Sequence, residues 1–143
     1  MKVQRGFTLI ELMVALAIVA LGTALVSLAL PDSDQRALAR DADRLAALLE
    51  SARAQSRVAG VPVHWRATAS GFAFDGLPAT APPLPSDWLD ARTRALGNVP
   101  VTLGPDPIIA PQAIVLQRAG SATPPLRVAT DGLRPFEAGA VLP

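Results

Sequence analysis

The chain has 143 residues, a length that predicts one folded domain beside any membrane segment. Its 13 basic and 12 acidic side chains leave a formal net charge of +1, which argues against a general affinity for nucleic acid or anionic lipid. The absence of cysteine excludes a disulfide framework and a thiolate metal site.

The first predicted element is an apolar run that follows a short basic leader. The leader contains Lys2 and Arg5, and after Glu11 no charged residue occurs before Asp32. A run of about 18 or more apolar residues can cross a bilayer as a helix, and residues 7–30 at about 1.5 Å each reach about 36 Å. We therefore predict a transmembrane helix over 7–30, with the basic leader on the cytoplasmic side.

Two simpler interpretations of this run fit less well. A secretory signal peptide has an apolar core of about 7–15 residues and a small-x-small cleavage site, whereas this run is longer and lacks that spacing near its end. A plain membrane anchor leaves Glu11 unexplained, because a carboxylate at membrane depth costs roughly 2.5–3.5 kcal/mol or more and usually has a partner.

Residues 6–16, with the sequence Gly-Phe-Thr-Leu-Ile-Glu-Leu-Met-Val-Ala-Leu, resemble the class III leader and amino-terminal helix of type IV pilins and type II secretion pseudopilins. The resemblance implies that a prepilin peptidase cleaves after Gly6 and methylates the new amino terminus at Phe7. It also implies that Glu11 registers one subunit against the next. In an apolar bundle the freed amine and a neighbour's Glu11 are each costly alone and offset one another when paired.

A second, amphipathic helix is predicted over 35–59. Pro31 predicts a kink or short break before it, and Gly60 with Pro62 predicts its end. An apolar stripe recurs at alternating steps of four and three residues, with Asp41 near its edge. The stripe comprises Leu38, Ala42, Leu45, Leu49 and Ala52, and the opposite, charged face comprises Arg36, Arg40, Asp43, Arg44, Glu50, Arg53 and Arg57.

Short strands and turns are predicted after residue 60, where most of the 14 prolines and 10 glycines lie. His64, the only histidine, is predicted to be a strand residue and not a metal ligand. Three aromatic residues are predicted to lie in the core: Trp65, Phe72 and Phe74. The predicted strands are 61–65, 72–74, 99–103, 114–117, 126–129 and 141–142.

The proline-rich segment 77–86 is predicted to be an extended loop with polyproline character, poor as a sheet strand. One helical turn is predicted over 87–92. Two interpretations of the loop stay open: Trp88 pins it to the core, or the loop contacts a partner subunit, since long loops in compact domains are often functional.

These elements predict an α+β, pilin-like fold in which a long helix packs on a small antiparallel sheet domain. The predicted divisions are a leader at 1–6, a transmembrane and assembly helix at 7–30, an amphipathic half at 31–60 and a β-rich periplasmic domain at 61–143. The layout, with a late strand and Asp-Gly turn at 126–132, resembles the H-type minor pseudopilins of type II secretion and related minor pilins of type IV pili.

Other branches of that family fit less well. Glu11 disfavours the K-type minor pseudopilins, which typically lack this acid, and the absence of cysteine disfavours the disulfide-looped major pilins. Major pseudopilins carry a calcium loop, but here Asp131 and Glu137 are isolated from other carboxylates, so a calcium site is not favoured. No cofactor is predicted.

The resemblance implies a structural subunit of a periplasmic filament, anchored by a single pass in the bacterial inner membrane. The implied partners are other minor pseudopilins, the major pseudopilin, the prepilin peptidase and methyltransferase, and the inner-membrane assembly platform. A second hypothesis is a minor pilin of a type IV pilus, acting in pilus assembly or DNA uptake. Nucleic-acid binding needs a basic surface, and the late arginines are balanced by acids. No catalytic set is visible, so an enzyme is not predicted.

Overall fold

A computed structural model describes residues 8–29, 33–97 and 99–141; within 22–29 it describes the backbone and not the side chains. The chain divides into two compact units, Met1–Asp32 and Ser33–Pro143. The leader and the break predicted at Pro31 lie outside the described residues.

Helix α1, Leu9–Ala29, belongs to the first unit and is capped by Thr8. The Thr8 hydroxyl accepts a hydrogen bond from the Glu11 amide at 3.4 Å, and its carbonyl accepts one from the Leu12 amide at 3.2 Å. Thr followed three residues later by Glu is the sequence of a capping box. Of the helix predicted over 7–30, the structure describes Leu9–Ala29, and Phe7 lies outside the described residues.

The described side chains of α1, residues 8–21, are all exposed. Its large aliphatic side chains range from 54% exposed at Val14 to 78% at Leu9. A helix that is apolar around its whole circumference is normally covered by protein or lipid. No helix within the described residues meets the length and hydropathy of a bilayer-crossing segment. The membrane span over 7–30 therefore stays a prediction.

Helix α2, Ser33–Ala59, opens the second unit and confirms the predicted amphipathic helix. The whole predicted apolar stripe is buried. Gly60 follows with a φ of 67°, and the Val61 amide donates to the Ser56 carbonyl at 3.3 Å, which closes the helix with a Schellman-type turn. The buried residues are Ala37, Leu38, Asp41, Ala42, Leu45, Ala46, Leu49, Ala52, Arg53 and Ser56.

In the part of the chain that the structure describes, seven strands form two antiparallel sheets. The first has the order β2-β1-β4 and the second the order β3-β5-β6-β7. The strands are β1 His64–Ala67, β2 Phe72–Asp75, β3 Thr93–Leu96, β4 Val101–Thr102, β5 Gln112–Arg118, β6 Leu126–Thr130 and β7 Glu137–Ala140. Helix α2 packs against β5, β6 and β7, so the helix and the second sheet enclose most of the core.

Alternation along β5 decides which face of the second sheet meets α2. Ile114, Leu116 and Arg118 are buried, whereas Gln117 between them is exposed. On β6 the residue paired with Ile114 is Val128, which is also fully buried. This period of two is the pattern of a sheet with one face on a core.

The predicted aromatic core is confirmed around Phe72. Its ring centroid lies 4.7 Å from Trp88 and 5.8 Å from Phe74, and both pairs are edge-to-face. Trp65 lies 6.2 Å away. Trp88 is 7% exposed, so it attaches the segment after the proline-rich loop to the first sheet. This is the first of the two interpretations of that loop.

Several strand predictions are corrected. The first strand begins at His64 and not at residue 61, and β4 is only two residues long, on the edge where Pro100 restricts pairing. The helical turn predicted over 87–92 is absent; Asp87 forms a bridge with Gly71 instead. Strand β3 was not predicted, and the last strand was expected at 141–142 and not at β7. Both strands form because they pair with strands distant in sequence, and this pairing overrides their weak local propensity.

Gly132→Ala is expected to destabilise the second unit by about 2 kcal/mol or more. Gly132 has a φ of 92°, and a Cβ at this position would clash with the carbonyl oxygen of Ile109. Gly139→Ala is the matched control, because Gly139 has an ordinary φ and open space around it. Urea unfolding of residues 33–143 measures the unfolding free energy of both variants. Equal losses of stability for the two variants would contradict the special backbone requirement at Gly132.

Candidate functional site

The predicted assembly site is described only in part. Gly6 and Phe7 lie outside the described residues, whereas Glu11 is exposed in the first turn of α1. An acid in the first turn interacts favourably with the helix dipole. Within residues 8–29, 33–97 and 99–141, no side chain pairs with its carboxylate.

The second unit holds a buried carboxylate at Asp41, which is 1% exposed. Its oxygens accept hydrogen bonds from the Leu89 amide at 2.7 Å, the Asp90 amide at 3.2 Å and the Thr93 hydroxyl at 2.7 Å. We call this set the Asp41 clamp. Because a buried carboxylate needs several donors, the clamp fixes the segment that enters β3 against α2.

A second charged group, the Arg118 cluster, comprises Asp34, Asp90, Arg92 and Arg118. The Arg118 side chain is 4% exposed, and its nitrogens lie 3.0 Å from Asp34 and 2.7 Å from Asp90. Arg92 contacts Asp34 at 2.9 Å. The cluster joins the first turn of α2 to the end of β5 and to the turn before β3.

The carboxylates of the Arg118 cluster are held in their charged form. The Ser121 side-chain hydrogen bond, followed by the charges of Arg118 and Arg92, lowers the pKa of Asp34. The Arg92 backbone amide, followed by Arg118, lowers the pKa of Asp90. Hydrogen bonds and opposite charges both favour the ionised carboxylate.

The third group, the Arg53 clamp, lies farther along α2. The Arg53 guanidinium donates to the carbonyls of Gly132 at 2.9 Å and Pro107 at 3.0 Å. Glu50 lies 3.5 Å from Arg53 and accepts the Phe136 amide at 3.0 Å. The Arg53 side chain is 3% exposed, so the prediction that it lies on the charged outer face is wrong. It holds two loops that no helix or strand would fix.

Asp41 and Arg53 were both missed as anchors, although the sequence carries a signal for them. Asp41 directly precedes Ala42 of the apolar stripe and Arg53 directly follows Ala52, so each borders the buried face. Asp41 was placed near the edge of that stripe. A charge at such a position is buried only where loops supply donors or acceptors, which helical periodicity does not reveal.

The remaining candidate, His64, is exposed on β1, and its Nδ1 lies 3.3 Å from the Thr102 hydroxyl. Among residues 8–29, 33–97 and 99–141 no cluster of three or more histidine or carboxylate side chains is placed to hold a metal ion. The prediction that the chain is not an enzyme stays a prediction.

Residues 1–27 match the prokaryotic N-terminal methylation motif. The chain carries a class III prepilin signal. This signal implies processing by a prepilin peptidase and assembly with other pilin subunits. No curated protein and no solved structure gives a significant match to the chain.

The prepilin signal includes Gly6, Phe7 and Glu11, together with all of α1 except its last two residues. Its match, followed by α2 and two antiparallel sheets, is consistent with a pilin-like α+β subunit.

Asp41→Asn is expected to destabilise the second unit by about 2–4 kcal/mol, because the amide nitrogen faces donors that it cannot accept from. Asp43→Asn, on the exposed side of the same helix, is the control and should change stability by less than about 0.5 kcal/mol. Urea unfolding of residues 33–143 measures both. An unfolding free energy of Asp41→Asn equal to that of the unmodified chain would show that the Asp41 clamp makes no net contribution to stability.

The domain is expected to lose stability as the pH falls below about 4. Folding lowers the pKa values of Asp34 and Asp90, so their contribution is present above the unfolded pKa and is lost as pH falls through the folded values. The double variant Asp34→Asn/Asp90→Asn should show a smaller slope of unfolding free energy against pH, measured by urea titration at several pH values. Slopes identical to the unmodified chain would contradict this assignment.

Proposed function

We propose that this chain is a minor pseudopilin of a type II secretion system. In this proposal it is a structural subunit at or near the tip of the periplasmic pseudopilus, which drives export of folded proteins across the outer membrane. The observation that carries the proposal is the prepilin signal at residues 1–27, which includes most of an exposed apolar helix. Glu11 is the one acidic residue among residues 1–27.

Apolar burial supplies the attraction between subunits in this proposal. Each large aliphatic side chain of α1 stabilises a complex by about 1.5–3 kcal/mol when it is fully buried. The described part of α1 exposes eight such side chains, among them Leu9, Ile10 and Leu12, and the side chain of Met13. Burial of this kind is not directional, so it holds helices together without choosing their register.

Charge pairing supplies the register. An unpaired Glu11 inside an apolar bundle costs roughly 2.5–3.5 kcal/mol or more, comparable with burying one or two aliphatic side chains. The amine freed at Phe7 removes this cost only when a neighbour places it beside the carboxylate. An arrangement in which neighbouring helices are shifted along one another leaves Glu11 unpaired and keeps this energetic cost, so the register that pairs the charges is favoured.

The same proposal places the chain in the bacterial inner membrane as a single-pass protein with residues 61–143 in the periplasm. The basic leader stays cytoplasmic, where the prepilin peptidase removes it and methylates Phe7. Its partners are other minor pseudopilins, the major pseudopilin and the inner-membrane assembly platform. The buried clamps of the second unit support a rigid head that moves as one piece during subunit addition.

The alternative is a minor pilin of a type IV pilus, in pilus assembly or DNA uptake, because the prepilin signal is common to both systems. One surface feature favours considering it: Arg127 and Arg134 line a shallow depression beside β6 and β7. Asp131 and Glu137 line it too, which weakens a phosphate site. Salt-sensitive DNA binding in a gel-shift assay, or pilus genes beside the gene, would favour this alternative over secretion.

Replacing Gly6 by Val should leave an unprocessed precursor. The unmodified chain is expected to mature by loss of six residues, with Phe7 as the new terminus carrying one added CH₂ of mass from methylation. Intact-mass spectrometry of the membrane fraction measures both. A Gly6 variant that still loses its first six residues would count decisively against a prepilin.

Glu11→Gln should be processed at Phe7 normally and yet fail to enter filaments, because the carboxylate is needed after cleavage. Glu11→Asp keeps the charge and is the matched control, expected to retain most incorporation. Co-sedimentation with sheared filaments measures incorporation. Normal incorporation of the Gln variant would overturn the registration role.

A further inference from the structure

The proline-rich segment between β2 and β3 is held at both ends. Leu77 and Leu84 pack against the core, and the Phe72 amide donates to the Ser86 carbonyl at 2.9 Å. Beyond the segment, Asp87 pairs with Gly71 and Trp88 is buried. The segment is therefore a fixed feature of the domain surface.

Its chemistry makes the segment stiff. Pro82, Pro83 and Pro85 each have φ restricted by the ring. Ala81, Pro82 and Leu84 each precede a proline, which disfavours helical conformations at these positions. Every residue from 81 to 85 is thus restricted toward an extended, polyproline-like conformation before any partner binds.

The three prolines point away from the domain while Leu84 points toward it. Pro82, Pro83 and Pro85 are exposed, whereas Leu84 is half-buried against the core. We call these three exposed residues the proline ridge. Since proline has no amide hydrogen, the ridge lacks the donors with which an edge strand would pair, so it is not suited to recognition by strand addition.

We propose that the proline ridge docks in an aromatic-lined groove on a different subunit of the same filament. The inference rests on the proposed function. Aromatic-lined grooves bind polyproline segments because the proline rings offer apolar contact and the segment loses little conformational entropy on binding. The anchored ridge has even less entropy to lose than a free peptide.

The composition of the chain argues that the partner is a different protein. The chain has four phenylalanines, two tryptophans and no tyrosine. Trp65, Phe72, Trp88 and Phe136 are buried, and Phe74 is half-buried in the core. Within the described residues no exposed aromatic side chain is left to build such a groove, so the described part of a second copy does not supply it.

The test is photo-cross-linking of the full-length chain in its native host, with p-benzoylphenylalanine introduced at Thr80, an exposed residue beside the ridge. A probe at Leu16, exposed on α1, reports assembly itself. The expected result is a Thr80 cross-link to another subunit, mapped to a peptide that contains tryptophan, tyrosine or phenylalanine.

The triple variant Pro82→Ala/Pro83→Ala/Pro85→Ala should lower the Thr80 cross-link yield about fivefold or more, because the flexible segment must be ordered on binding. Pro124→Ala, at an exposed proline in another loop, should leave the yield unchanged within about twofold. Resistance to limited proteolysis checks folding, and if the triple variant is degraded, Pro82→Ala and Pro83→Ala alone should each give a smaller loss.

The two probes separate failure of the inference from failure of the proposed function. Cross-links from Leu16 without any from Thr80, a Thr80 yield unaffected by the alanine variants, or cross-links from Thr80 only to copies of this chain would each overturn the docking inference and leave the assembly function standing. No cross-link from Leu16 to other subunits would overturn the assembly function, and the inference with it.

Discussion

A charge buried on a helix must be matched by groups from elsewhere in the chain, and this constraint organises the second unit. Asp41 and Arg53 lie twelve residues apart on α2, at the borders of its apolar stripe. The carboxylate collects amide and hydroxyl donors from the entry to β3, and the guanidinium collects carbonyls from two late loops. Irregular backbone is thereby fixed where no sheet or helix would fix it.

Buried charges of this kind are weak evidence for net stability, because desolvation opposes the hydrogen bonds they make. Their contribution is better described as specificity. Aliphatic residues such as Leu38, Leu45 and Leu49 would pack against many loop arrangements, whereas a buried carboxylate accepts only an arrangement that brings donors to it. The Arg118 cluster acts in the same way at the first turn of α2.

The same requirement for a matching group applies to the charge in the first unit. Glu11 is a single acid on an apolar helix, and no described group of the chain pairs with its carboxylate. In the second unit the matching groups are internal, and the result is a fixed fold. In the proposed function the match for Glu11 is the amine of a neighbouring subunit. The same physical rule thus applies to the packed second unit and, in the proposed function, to assembly through α1.

The sequence by itself determined the features that depend on neighbouring residues: the capping sequence and apolar run of α1, the period of α2, the hairpin of β1 and β2, and the stiffness of the segment 77–86. Only the tertiary structure decided that Arg53 lies inside, that β3 and β7 are strands, and where the irregular segments attach. These outcomes depend on residues that meet from distant parts of the chain: β3 is a strand because β5 pairs with it, and Arg53 is buried because two late carbonyls satisfy it. Periodicity and local propensity depend only on neighbouring residues and therefore do not reveal partners from distant parts of the chain.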